Sequence, residues 1–175
     1  MKKLALMILV ACGGGSGGSF GTGPVSQAQA EDICTAECQH DIDCGNEPDP
    51  LAACVADCAA DMVGWARADA VEEVFTCSAA LECNASDDEC LLGVQPLAIH
   101  DEWETACRAD LGACFDTVEE TDSLCEVSAS SDDIGFVRFI APAIIEEMLD
   151  CVDGSDCNTQ LTCLQAVFES HNIDF

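Results

Sequence analysis

The sequence predicts an all-α fold: two tandem helical units stapled by disulfides, set behind an export signal and a flexible tether. Three observations lead there. Fifteen of 175 residues are cysteine, the density of a disulfide scaffold made outside a reducing cytosol. Apolar residues recur at three- and four-residue steps, as on one face of a helix, and no run of alternating β-branched residues occurs. The chain also repeats itself at an offset of 74 residues, Val71-Glu72-Glu73-Val74-Phe75-Thr76-Cys77 aligning with Ile145-Glu146-Glu147-Met148-Leu149-Asp150-Cys151.

The chain starts with Lys2 and Lys3, followed by eight apolar residues from Leu4 to Ala11 and then Cys12. A charged start and a short apolar run are the parts of an export signal, expected over residues 1–11. Eight residues fall far short of the roughly 20 a membrane-crossing helix needs. The order Leu9-Val10-Ala11-Cys12 resembles the lipobox of bacterial lipoproteins. That resemblance implies cleavage before Cys12, diacylglycerol on its thiol with fatty acyl chains such as palmitate, and a place in the bacterial cell envelope, at the outer membrane. Seven of the next twelve residues are glycine, so residues 12–30 are expected to be a flexible tether carrying the lipidated cysteine.

Fourteen cysteines remain, an even number, as seven bridges require. The repeat extends upstream, where Cys38, Cys44 and Cys54 have counterparts in Cys107, Cys114 and Cys125. Downstream, Cys83 matches Cys157 and Cys90 matches Cys163. Two units are therefore expected, 31–95 and 96–175, with the seam near Gln95-Pro96. Cys34 and Cys58 have no counterparts, Trp103 and Ala129 standing in their places. Their joint absence from the second unit points to a Cys34–Cys58 bond, with Cys38–Cys54 inside it. Cys-x3-Cys puts both sulfurs on one helix face, so two such helices packed antiparallel oppose outer to outer and inner to inner. The same logic pairs Cys107 with Cys125. The quartets Cys44, Cys77, Cys83, Cys90 and Cys114, Cys151, Cys157, Cys163 each allow three connectivities, and their equivalence requires the same choice in both.

The elements follow in order. Leu51, Cys54, Val55, Cys58, Met62 and Trp65 trace one helix; Val71, Val74, Phe75 and Leu81 trace another; Ile140, Ile144, Ile145, Met148 and Leu149 trace its counterpart. Asp69 suits the cap of the second and Pro142 the first turn of the third. Residues 45–50 and 128–133 read as loops. The twin Cys-x3-Cys pattern over residues 34–58 resembles the helical hairpin of plant antimicrobial hairpin peptides and of small chaperones of the mitochondrial intermembrane space. The complete layout resembles cysteine-rich lipoproteins of myxobacteria-like bacteria, which implies location and fold and supplies no activity.

The charge narrows function. Removing residues 1–11 leaves three arginines, Arg67, Arg108 and Arg138, against 34 acids, a balance of −31. Such a chain lacks the cations that neutralise nucleic-acid phosphate. Catalytic patterns are missing as well: there is no Cys-x-x-Cys, no Gly-x-Ser-x-Gly elbow, and no histidine pair at ligand spacing among His40, His100 and His171. His40 lies between Cys38 and Cys44, but bridging removes those thiolates as metal ligands. Trp65 and Trp103 read as core residues. No metal site and no cofactor besides the lipid is therefore expected. The sequence reads as a lipid-anchored, non-catalytic interaction or scaffolding protein whose partners are the membrane and a protein or envelope polymer. An alternative is a lipoprotein that binds calcium or a small ligand through acidic loops, Asp41, Asp43, Glu47 and Asp49 or Asp150, Asp153 and Asp156.

Overall fold

The computed structural model describes residues 20–173, apart from 47, 84, 116, 128–134, 153 and 155. It is built of helices: α1 (Gln27–Cys44), α2 (Leu51–Met62), α3 (Ala68–Ser78), α4 (Asp88–Gly93), α5 (Ala98–Asp110), α6 (Val118–Cys125), α7 (Pro142–Cys151) and α8 (Cys157–His171). Short 3-10 turns precede α6 and α7. None of the described helices is long and apolar enough to cross a membrane. Cys12 and the segment expected to be the signal lie outside the described residues, as do 128–133.

In the first repeat α1 packs on α2 and α3, and α3 on α4. In the second, α5 packs on α6 and α7, and α7 on α8. All seven disulfides stay within a repeat. The two cores are built differently. The first is made of small side chains, Ala30, Ala59, Ala66 and Ala68 around Val25, Met62 and Val71. The second holds Trp103, Leu111, Ile144, Ile145, Met148 and Leu164, all at most 2% exposed. Small side chains remove less apolar area from water, and that repeat carries four bridges against three in its partner.

The folded body begins ahead of its expected boundary. Residues 20–30, assigned to the tether on composition, belong to it. Val25 and Ala30 are buried, Ser26 and Gln29 form a capping box that starts α1, and Pro24 bridges to Arg67. Asp69 is not a cap: Arg67 occupies the N-cap position of α3, and Asp69, in the first turn, accepts from Arg67 Nε at 2.8 Å. Trp65 and Leu81 lie beyond the ends of α2 and α3. The chain leaves the helix at Val63, so that Trp65 and Ala66 can face the other repeat. Pro142 does take the first position of α7, where its missing N–H costs nothing. Gly45 closes α1 at φ +74, and its N–H donates back to the Asp41 and Ile42 carbonyls.

The repeats meet where each enters its third helix, α3 in the first and α7 in the second. Arg67 N–H donates to the Phe139 carbonyl (2.6 Å) and Ala141 N–H donates to the Trp65 carbonyl (2.9 Å), flanking an antiparallel bridge between Ala66 and Ile140. Ala66 and Ile140 are related by the 74-residue offset, and the same offset exchanges the two hydrogen bonds, Arg67 matching Ala141 and Trp65 matching Phe139. The contact is therefore a local two-fold, the geometry two identical subunits adopt in an isologous dimer.

Candidate functional site

The disulfides set the frame. Cys34 is bonded to Cys58 and Cys38 to Cys54 across α1 and α2, and Cys107 is bonded to Cys125 across α5 and α6. Within the quartets Cys44 joins Cys83 and Cys77 joins Cys90; Cys114 joins Cys157 and Cys151 joins Cys163. Both repeats thus make the same choice. Trp103, standing where the first repeat has Cys34, is fully buried, and its indole N–H donates to the Leu124 carbonyl of α6 at 3.3 Å. A packed ring with a hydrogen bond ties α5 to α6 where a covalent bond ties α1 to α2.

Each arginine is engaged within the protein, although Arg67 Nη1 is buried without a partner. Arg138, 3% exposed, donates from Nε and Nη2 to the Val127 carbonyl (3.0 and 2.5 Å) and from Nη1 to the Val94 carbonyl (3.0 Å). Burial, with the charge of Arg67 beside it, lowers its pKa. Arg67, 2% exposed, holds Asp69 and donates from Nη2 to the Gln95 carbonyl at 2.9 Å. Both side chains thereby pin the seam segment 94–95 from either side. Arg108 is the surface member, pairing with Glu104 (3.0 Å) and Asp122. Among the described residues, the exterior is left with carboxylates and no arginine outside an ion pair.

His100 completes the junction. It is fully buried; Nδ1 accepts from Leu97 N–H at 2.8 Å, so Nε2 carries the proton and donates to the Ile140 carbonyl at 2.9 Å. Burial first, then the nearby Arg67 charge, lowers its pKa and keeps it neutral. The sequence hints at these roles only weakly: three arginines scattered through an acidic chain, and a histidine at the third position of a helix.

An acidic cleft of about 200 Å³ opens beside the Cys44–Cys83 bridge, lined by Glu37, His40, Asp41, Ser78, Glu82 and Asp87. Ser78 donates to Glu37 Oε1 at 2.9 Å, while Oε2 is buried without a partner. Desolvation raises the Glu37 pKa against that hydrogen bond, and the neighbouring Asp41 raises it further. The acidic groups expected as calcium loops are described in part, with Asp41 and Asp43 on α1 itself. Of the first group, Asp41 lines this cleft, whereas Asp43 accepts from Gln39. Of the second, Asp156 caps α8, accepting from Thr159 N–H and hydroxyl at 3.2 and 2.8 Å, which lowers its pKa. Glu47 and Asp153 lie outside the described residues. Among the described residues no three His, Cys, Asp or Glu side chains converge in metal-holding geometry. His40 Nε2 lies 3.6 Å from Cys44 Sγ, a sulfur already in a bridge, and His171 faces Glu147 at 3.0 Å on the surface.

No protein-family model, curated protein or solved structure matches the chain.

Proposed function

We propose that this is an exported bacterial envelope protein, held to the membrane by lipid on Cys12, whose disulfide-braced helical body presents a rigid acidic surface to a protein or polymer partner. The observation that carries this reading is how the cations are spent: both repeat-joining arginines are buried and the third is paired, so the outward charge is of one sign. Such a surface steers basic partners and repels acidic ones. Bridges spanning 12 to 43 residues hold the helices in place before any partner arrives, which reduces the ordering cost of binding. The body does no chemistry in this reading; it positions and recognises.

The test has two arms. Cys12→Ser should move the protein from the membrane fraction to the aqueous fraction; retention in the membrane refutes the anchor. Cross-linking in the native envelope, followed by isolation of the full-length protein, should give a stoichiometric basic partner. Recovery of the protein alone at every cross-linker length refutes the interaction role.

A further inference from the structure

The surface between α1 and α3 differs from the rest of the acidic exterior. A groove of about 160 Å³ runs there, floored by Ile33, Ala36 and Phe75 and edged by Asp32 on α1 and Glu72 on α3. The acidic edge continues along α3 through Asp69 and Glu73. Phe20 also lines the groove, its main-chain N–H donating to Glu72 Oε2 at 2.9 Å. Carboxylates along both sides of an apolar floor, one of them already accepting a main-chain N–H, set the chemistry of what fits there. The aligned face of the second repeat keeps carboxylates and one apolar floor residue, Leu149 for Phe75, and loses the other two. Asp101 and Glu146 match Asp32 and Glu72, but Glu102 and Thr105 stand in place of Ile33 and Ala36.

We propose that the groove between α1 and α3 docks an extended basic polypeptide segment that places an aliphatic side chain between flanking lysines or arginines. This rests on the interaction role above and names the partner's chemistry. The aliphatic side chain would cover the Ile33, Ala36 and Phe75 floor. The flanking cations would meet Asp32 on one side and Glu72 and Glu73 on the other. Apolar burial gives affinity, while the carboxylates set the charge requirement and speed encounter. The second repeat, acidic but with polar Glu102 and Thr105 at two of the three floor positions, would attract the same segment without holding it.

The probe is a synthetic peptide alternating lysine and leucine, titrated against the oxidised full-length protein at physiological ionic strength. Two controls accompany it, one with serine for leucine and one with glutamate for lysine. One peptide should saturate per chain, and neither control should. Asp32→Asn should weaken binding about three- to fivefold, as loss of one rim ion pair does. Ala36→Gln, which fills the floor from an exposed helix position, should weaken it about tenfold. The double variant Glu146→Gln with Glu147→Gln should leave binding unchanged, and equal thermal midpoints show that all these variants are folded. Equal binding of the lysine–serine peptide overturns the proposal, as does an equal loss from the second-repeat variant or none from Ala36→Gln. If the groove fails while an envelope partner is still isolated, the groove assignment falls and the interaction role stands.

Discussion

His100 and Gln29 hold the same position in their helices, the third residue of the helix that opens each unit, although the repeat alignment sets His100 against Glu31. Gln29 Oε1 accepts from Ser26 N–H at 3.0 Å; His100 Nδ1 accepts from Leu97 N–H at 2.8 Å. The imidazole does a second job, because its other nitrogen reaches Ile140, whose equivalent Ala66 accepts from Val25 N–H. One ring thus stands in for part of the N-terminal segment that braces the first repeat. Protonating it would put a second proton against the Leu97 N–H, with Arg67 nearby and only Asp101 to offset the charge. The folded pKa is depressed, so between it and the unfolded value of about 6.5 the unfolded chain binds more protons. This contribution to stability is complete above that pH and is lost as the pH falls. His100→Gln gives α5 the third-position glutamine that α1 carries and removes the titrating group. It should cost about 1 kcal/mol at pH 7.5 for the Ile140 carbonyl left without its donor, and its thermal midpoint should fall less than that of the native protein between pH 7.5 and 5. Parallel pH profiles would show that His100 carries none of the acid sensitivity.

Helix content was legible because periodicity and cysteine spacing report the same faces. The apolar stripe of α2 and its Cys-x3-Cys sulfurs coincide, and Pro142 marks the start of α7. The ends were less legible. Glycine content drew the tether to residue 30, although Ser26 and Gln29 spell a capping box inside it; local capping chemistry outweighs average composition there. Which cysteine of a quartet meets which depends on how α1 crosses α3, and no local spacing encodes that crossing. The seam arginines and His100 escaped because their partners are main-chain carbonyls far along the chain. The substitution of Trp103 for a bridge shows two solutions to one problem. In the second repeat the tie is packing, so Trp103→Ala should destabilise by about 3–5 kcal/mol through the cavity and the lost hydrogen bond. Hydrogen exchange should place the loss in α5 to α8 and leave α1 to α3 protected. Uniform loss across both repeats would mean that they unfold as one unit.

Because no bridge crosses between the repeats, their union rests on the two-fold junction and the charges around it. Trp65 of the first repeat packs into the core of the second, with its ring 5.1 Å from Phe136; its equivalent, Phe139, packs against Ala70, Val74 and Val94 of the first. Each repeat lends the other one aromatic ring and one backbone hydrogen bond. Against this works the like-signed exterior. With the arginines buried or paired, bringing the two acidic halves together raises the density of negative charge, and the compact state suffers more from that repulsion than the open chain does. Screening acts chiefly on exposed charges separated by more than a Debye length, about 30 Å at 0.01 M salt and about 3 Å at 1 M. Buried contacts such as Arg138 with the Val127 and Val94 carbonyls are screened far less. Added salt should therefore remove the repulsion and keep the junction. The thermal midpoint of the oxidised protein should rise steadily from 0.01 M to 1 M sodium chloride. Potassium chloride should match it, since the effect is screening and needs no bound ion. A midpoint that stays flat would show that the acidic exterior costs the fold nothing.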